Sequence, residues 1–190
     1  MNDDGTGNAQ SFLSRIRNHY VEQLLIFIAD QRFNSLRGEA EVKVEHEPGS
    51  ALFRSLTCAD FARNDRAPEL VEFTPERMLG FEPIHTTLGA ADLRIEGLRW
   101  DEAVIEHNAS FDAEQTLGAW FDRWFDPDDR RHNPGADLGN VIHSLMVEPG
   151  QLRVDFGSAA PDAFWELLNL LEKAGATELR VRSLGGASGP

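Results

Sequence analysis

The chain has 190 residues, room for one large domain or two small ones. It sets 18 Lys and Arg against 32 Asp and Glu, a formal charge of −14, which excludes a general electrostatic pull toward phosphate backbones or anionic lipid. Hydrophobic residues make up 41% of it, too many for a wholly disordered chain, and its one cysteine excludes a disulfide framework or a multi-cysteine zinc site.

Residues 1–10 are polar and Gly/Asn/Asp-rich, without the basic and apolar regions of a secretory signal, and are expected to form a disordered tail. A single domain is expected over residues 11–183, and a second tail of mostly small residues over 184–190. Ser11 can cap a helix predicted to run to about Leu36, with Phe12, Leu13, Ile16, Tyr20, Leu24, Phe27 and Ile28 at three- and four-residue steps. Its segment Leu24 to Ala29 is apolar all round, so it should be enclosed or should face a second copy, which makes a homodimer through helix 11–36 one expectation. Six apolar residues fall far short of the roughly 20 that span a bilayer, so no membrane association is expected and a cytoplasmic location is.

Ala40, Val42, Val44 and His46 alternate with charged residues and predict a half-buried strand that ends at Pro48-Gly49. Leu52, Phe53 and Leu56 suggest a helical turn or two between Ser50 and about Ala62. Thr74-Pro75-Glu76 has the chemistry of a helix start, with Gly80 as its stop. Strands are predicted over Phe81 to Leu88, Asp92 to Trp100 and Ala103 to His107, and then a helix from Ser110 or Asp112 to about Phe125. Asp126 to Gly139 is a polar loop. Val141 to Val147 and Gln151 to Phe156 form a hairpin around Pro149-Gly150, in which Val147 faces Leu152 and Leu145 faces Val154. A helix from Ser158 or Pro161 to Gly175 and a strand around Leu179 to Arg182 complete the chain. The expected fold class is α+β: a mainly antiparallel sheet with helices on one face, preceded by a long N-terminal helix. A weak fifty-residue repeat, with Leu117 on Leu167 and Asp112-Ala113 on Asp162-Ala163, suggests two hairpin-plus-helix units.

Three places carry candidate chemistry. The loop holding Asp126, Asp128, Asp129, His132 and Asp137 offers hard oxygen ligands and an imidazole, suited to Mg²⁺ or Mn²⁺. It fails the calcium-loop template, because Arg130 and Arg131 occupy positions that need a ligand and a glycine. Its bland alternative is a solvated loop with the acids neutralised by those arginines. His143 lies near Ser144 and Asp155, but strand alternation places Ser144 and Asp155 on the face opposite His143, so no catalytic triad is expected there. A core or edge position, with one backbone hydrogen bond, is expected for the imidazole. Cys58 reads as a small buried hydrophobe.

The third place is acidic and aromatic. Residues 101–129 hold nine Asp and Glu against one Arg, around Trp120, Phe121, Trp124 and Phe125. If part of that ring set is exposed, Asp122, Trp124, Phe125 and Asp126 form a surface for a basic protein. The leading expectation is therefore a non-enzymatic acidic binding protein, of a chaperone, immunity-type inhibitor or regulatory-subunit kind, with no cofactor. The alternative is a metal-dependent hydrolase built on the Asp126–Asp137 loop.

Overall fold

The computed structural model describes residues 4–65, 67–131 and 133–183. Helix α1 spans Asp4–Asn34, beginning before the expected cap at Ser11. A lone serine marks a helix end weakly, since it is also tolerated inside one. Leu13, Ile16, Tyr20, Leu24 and Ile28 are buried at helical spacing. The apolar run is divided: Leu24 and Ile28 enter the core, whereas Ile26 is 71% exposed.

Strands β1 (Gly38–Glu45), β2 (Leu56–Arg63) and β3 (Glu69–Val71) form a small antiparallel sheet in that order. The expected helix over 50–62 is a single 3₁₀ turn at Phe53–Ser55 followed by β2. This strand is buried on both faces from Cys58 to Ala62, so it lacks the alternation that marks a strand in sequence. The expected helix after Thr74 is irregular chain. Side chains of α1 meet its backbone polar groups instead: Gln23 Oε1 accepts from the Arg77 N–H, and His19 Nε2 and Gln23 Nε2 approach the Arg77 carbonyl.

The large sheet contains β4 (Ile84–Leu88), β5 (Ala91–Ile95), β6 (Ala103–His107), β7 (Ser144–Glu148), β8 (Gln151–Asp155) and β9 (Glu178–Ser183), in the order β4-β5-β9-β6-β8-β7. Only β5 and β9 run parallel. The β7–β8 register is the predicted one, with Val147 opposite Leu152 and Leu145 opposite Val154. The first expected hairpin-plus-helix unit is absent, because β9 lies between β5 and β6. The insertion is chemically matched. Arg180 of β9 pairs with Glu96 and Glu106, and Arg182 pairs with Glu106, on either side of it. The fifty-residue similarity is therefore not a structural repeat.

Helix α2 (Ala113–Phe125) is capped by Asp112, whose side chain accepts the Gln115 N–H at 2.8 Å. Helix α3 (Pro161–Lys173) packs beside it, and Trp120 Nε1 donates to the Ala163 carbonyl at 3.0 Å. The stripes of α1, α2 and α3 share one core with the inward residues of the large sheet, among them Leu93, Ile95, Ile105, Val154 and Val181. These elements make an α+β fold. Phe164 is fully buried at the centre, with its ring 6.4 Å from Trp100 and 5.7 Å from Phe156. Phe164→Ala should lower the unfolding free energy by about 3–5 kcal/mol. Urea titration would show a reduced midpoint with the slope retained.

Candidate functional site

The structure scatters the residues expected to bind a partner. Asp122 is on the surface, but Trp124, Phe125 and Asp126 are buried. The expected exposed aromatic face is not there, because α2 packs two adjacent stripes. Trp124 reaches α3, donating from Nε1 to Glu166 at 2.7 Å, while Phe121 and Phe125 stack 4.7 Å apart with Phe53 against Phe121. Both exposed acids beside them, Glu114 and Asp122, are bound by Arg54.

The acidic loop divides its carboxylates among separate partners. Buried Asp126 accepts the backbone N–H groups of Arg130 and Arg131 at 3.0 and 2.9 Å. Asp128 pairs with Arg130 at 2.7 Å, Asp129 with Lys43, and Asp137 with Arg32 at 2.8 Å. His132 lies outside the described residues. Among the described residues, no three His, Cys, Asp or Glu side chains gather in a way that suits a metal ion.

This loop nevertheless forms one wall of a groove of about 430 Å³, whose other wall is β1. Asp126, Asp129, Arg131 and Asp137 face Glu39, Glu41 and Lys43 across it. The described chain has six non-glycine residues with positive φ. Of these, Glu41, Asp126 and Asp129 line the groove, and Asn140 sits between two residues that do. Such conformations cost on the order of 1–3 kcal/mol each and persist only where the surroundings enforce them.

Glu41 leads from the groove to a buried ionic cluster. In β1 it stands opposite Asp60 of β2, between the paired positions Ala40–Phe61 and Val42–Ala59. Two carboxylates facing one another repel unless a cation lies between them. His143 is that cation. Its Nε2 is 2.9 Å from Glu41 Oε1 and its Nδ1 is 3.0 Å from Asp60 Oδ1, an ion pair lying off the ring N–H direction. The imidazole side chain is 2% exposed, and each carboxylate side chain 5%. The second oxygen of Asp60 accepts the Phe73 N–H at 2.7 Å, and that of Glu41 accepts the Gly139 N–H. Backbone bonds fix the ring's own residue: its N–H donates to Asp155 O at 2.8 Å, and its carbonyl accepts from Cys58 N–H at 2.7 Å. His143 has the buried position expected of it, but it is bound through side chains as well as backbone rather than by one backbone hydrogen bond. Gly157, at φ +46°, makes room for the ring, since a Cβ there would lie 2.1 Å from His143 Cδ2.

Burial opposes charge on the ring, yet its neighbours Cys58, Asp60, Glu41 and Asp155 hold its pKa well above the usual imidazole range. The carboxylates account for this at neutral pH, because burial pushes the Cys58 thiol up to about 12 and leaves it uncharged. Burial would also raise Glu41. Its hydrogen bond and charge contact with His143, the Gly139 N–H and the Ser158 hydroxyl bring it below the usual range instead. Burial raises Asp155 to about 7 against the pull of His143. With both nitrogens engaged and the ring enclosed, His143 has no free lone pair to offer a substrate.

Comparison with protein-family models, curated proteins and solved structures finds no match to this chain.

Two outcomes follow for stability. His143→Ala should cost about 3–5 kcal/mol, because it leaves two buried carboxylates without their cation. Gly157→Ala should cost about 1–3 kcal/mol by overpacking the ring. Chemical denaturation measures both. Asp155 gives a signed pH effect. Its pKa is raised on folding, so its contribution is fully present below the unfolded value of 3.8 and is lost as pH rises through about 7. Asp155→Asn should therefore melt above the parent at pH 8 and lose that advantage by pH 4. A parallel melting profile at both pH values would refute this assignment.

Proposed function

We propose that the protein is a non-enzymatic binding protein for a basic protein partner, and that the groove between β1 and the 126–139 loop receives it. The observation that carries this reading is the concentration of left-handed, non-glycine backbone around that one groove. Charge supports the choice of partner. Five carboxylates line the groove against Arg32, Lys43 and Arg131, in a chain of formal charge −14. Glu39, Asp129 and Asp137 are exposed, so incoming lysines or arginines can reach them. Long-range attraction of this kind speeds encounter and weakens with salt. The partner class extends to the target of a chaperone, of an immunity-type inhibitor or of a regulatory subunit.

Affinity capture on the immobilised full chain, at low and high salt, tests the proposal. A basic partner should be retained at low salt and released at high salt. Glu39→Gln with Asp137→Asn should weaken its binding by up to about fivefold per exposed pair lost. Recovery of no salt-sensitive partner, or unchanged binding by the double variant, would remove the proposal. The metal-dependent alternative has its own readout. Melts with millimolar Mg²⁺, Mn²⁺, Ca²⁺ or EDTA should superimpose, whereas a rise with one cation would place an ion on the loop and favour the hydrolase.

A further inference from the structure

His143 stands where the two sheets meet. Its carbonyl takes a hydrogen bond from β2, its N–H gives one to β8, and its ring touches carboxylates on β1 and β2. A further bridge between Leu52 and Met146 joins β7 to the chain just before β2. The ring is thus a charged part of this junction. Glu41 belongs to both regions: one oxygen meets His143, the other holds the Gly139 N–H, and the residue lines the groove.

We infer that the proton on His143 is a latch between the two sheets. When the ring is protonated, Glu41 is held inward by Nε2–H and Gly139 is held to it; when the Nε2 proton leaves, both are released and the groove wall between Glu41 and Gly139 changes shape. The inference rests on the docking proposal only for its biological consequence, because the latch is a property of the free chain.

The groups around the ring define what else titrates. From α1 come Tyr20, whose hydroxyl is pushed well up by burial and the surrounding carboxylates, and Arg17, whose cation acts on Glu41. From β1 comes Glu41, and from β2 come Cys58 and Asp60. Asp155 of β8 also acts directly on the ring, and Asp101 acts on Asp155 and Tyr20. Glu41 and Asp60 both lie within 3.0 Å of one imidazolium, so removing its proton leaves two buried carboxylates facing each other across adjacent strands. Beside Asp60, desolvation and the Asp60 charge raise Glu72. The proton leaves across the 2.9 Å hydrogen bond from Nε2 to Glu41 Oε1, and from Glu41, which lines the groove, to water, with no other bond made or broken.

Nuclear magnetic resonance on the full chain tests the latch without any partner. The ring nitrogens of His143 and the amides of Gly139 and Cys58 would be followed from pH 5 to 10. The imidazolium pattern should persist at least one pH unit above the ordinary value of about 6.5. The two amides should shift in the same step as the ring. Glu41→Gln should lower the proton affinity of the ring at least tenfold and remove that step at Gly139. A ring that titrates at or below about 6.5, or a Gly139 amide that stays still while the ring titrates, overturns the proposal. If Glu41→Gln does not fold, the titration of the unaltered chain still decides it. The latch and the docking surface fail separately: loss of every salt-sensitive partner leaves the titration intact, and the absence of a coupled step leaves partner capture intact.

Discussion

A buried imidazolium held by carboxylates from adjacent strands joins the small sheet to the large one. Taking such ions out of water costs several kcal/mol each, and their attraction rarely returns much more than that cost. The contribution of the cluster is therefore mainly positional. Apolar contacts alone would tolerate several registers between two sheets. An imidazole that must meet Glu41 on one side and Asp60 on the other tolerates one. Glu41 holds its inward place with φ at +53°, and Gly157 supplies the space the ring needs. Strain in β1 and a missing side chain after β8 are thus parts of one constraint.

The elements that sequence revealed are those whose burial is one-sided. The helices α2 and α3 and the β7–β8 hairpin each alternate apolar and polar positions with their own period, and each appears close to its expected place. The failures share a cause. Strand β2 is buried on both faces and loses its period, and the chain after Thr74 takes its hydrogen bonds from α1 rather than from itself. The position of β9 between β5 and β6 rests on strand pairing and burial of Leu179 and Val181 against residues more than seventy positions away, which no local pattern reveals.

The junction left a fainter trace. Asp60 interrupts the apolar run from Cys58 to Ala62, and His143 sits within Val141-Ile142-His143-Ser144-Leu145. A polar group in such a run must find a partner once buried, so each was a sign of an unseen contact. Strand alternation correctly separated His143 from a Ser144 nucleophile in concept, but it could not supply Glu41, which is 102 residues away and reaches inward only through a left-handed backbone. The acidic segment at 101–129 misled in the opposite way. Its acids are dense in sequence, yet Arg54 takes Glu114 and Asp122 while Arg99 takes Asp101 and Glu102.

The distribution of charge gives the groove its particular character. Exposed acid–base pairs such as Arg130 with Asp128 contribute only about 0–1 kcal/mol each. Groove carboxylates are of two sorts. Asp137 is tied loosely, by an exposed ion pair with Arg32 that a basic partner can exchange, and Asp129 is exposed beside a mostly buried Lys43. Glu41 and Asp126 are buried and tied to backbone N–H groups, so they shape the walls rather than trade contacts. A basic partner docked as proposed would displace Arg32 from Asp137 and add charge to the groove that Glu41 lines. Because Glu41 is also a ligand of the ring, that change alters the free energy of the proton on His143. By thermodynamic reciprocity, the proton then alters the affinity of the groove by the same factor. On the docking and latch proposals together, encounter with a partner and the junction of the sheets are linked through a single side chain, Glu41.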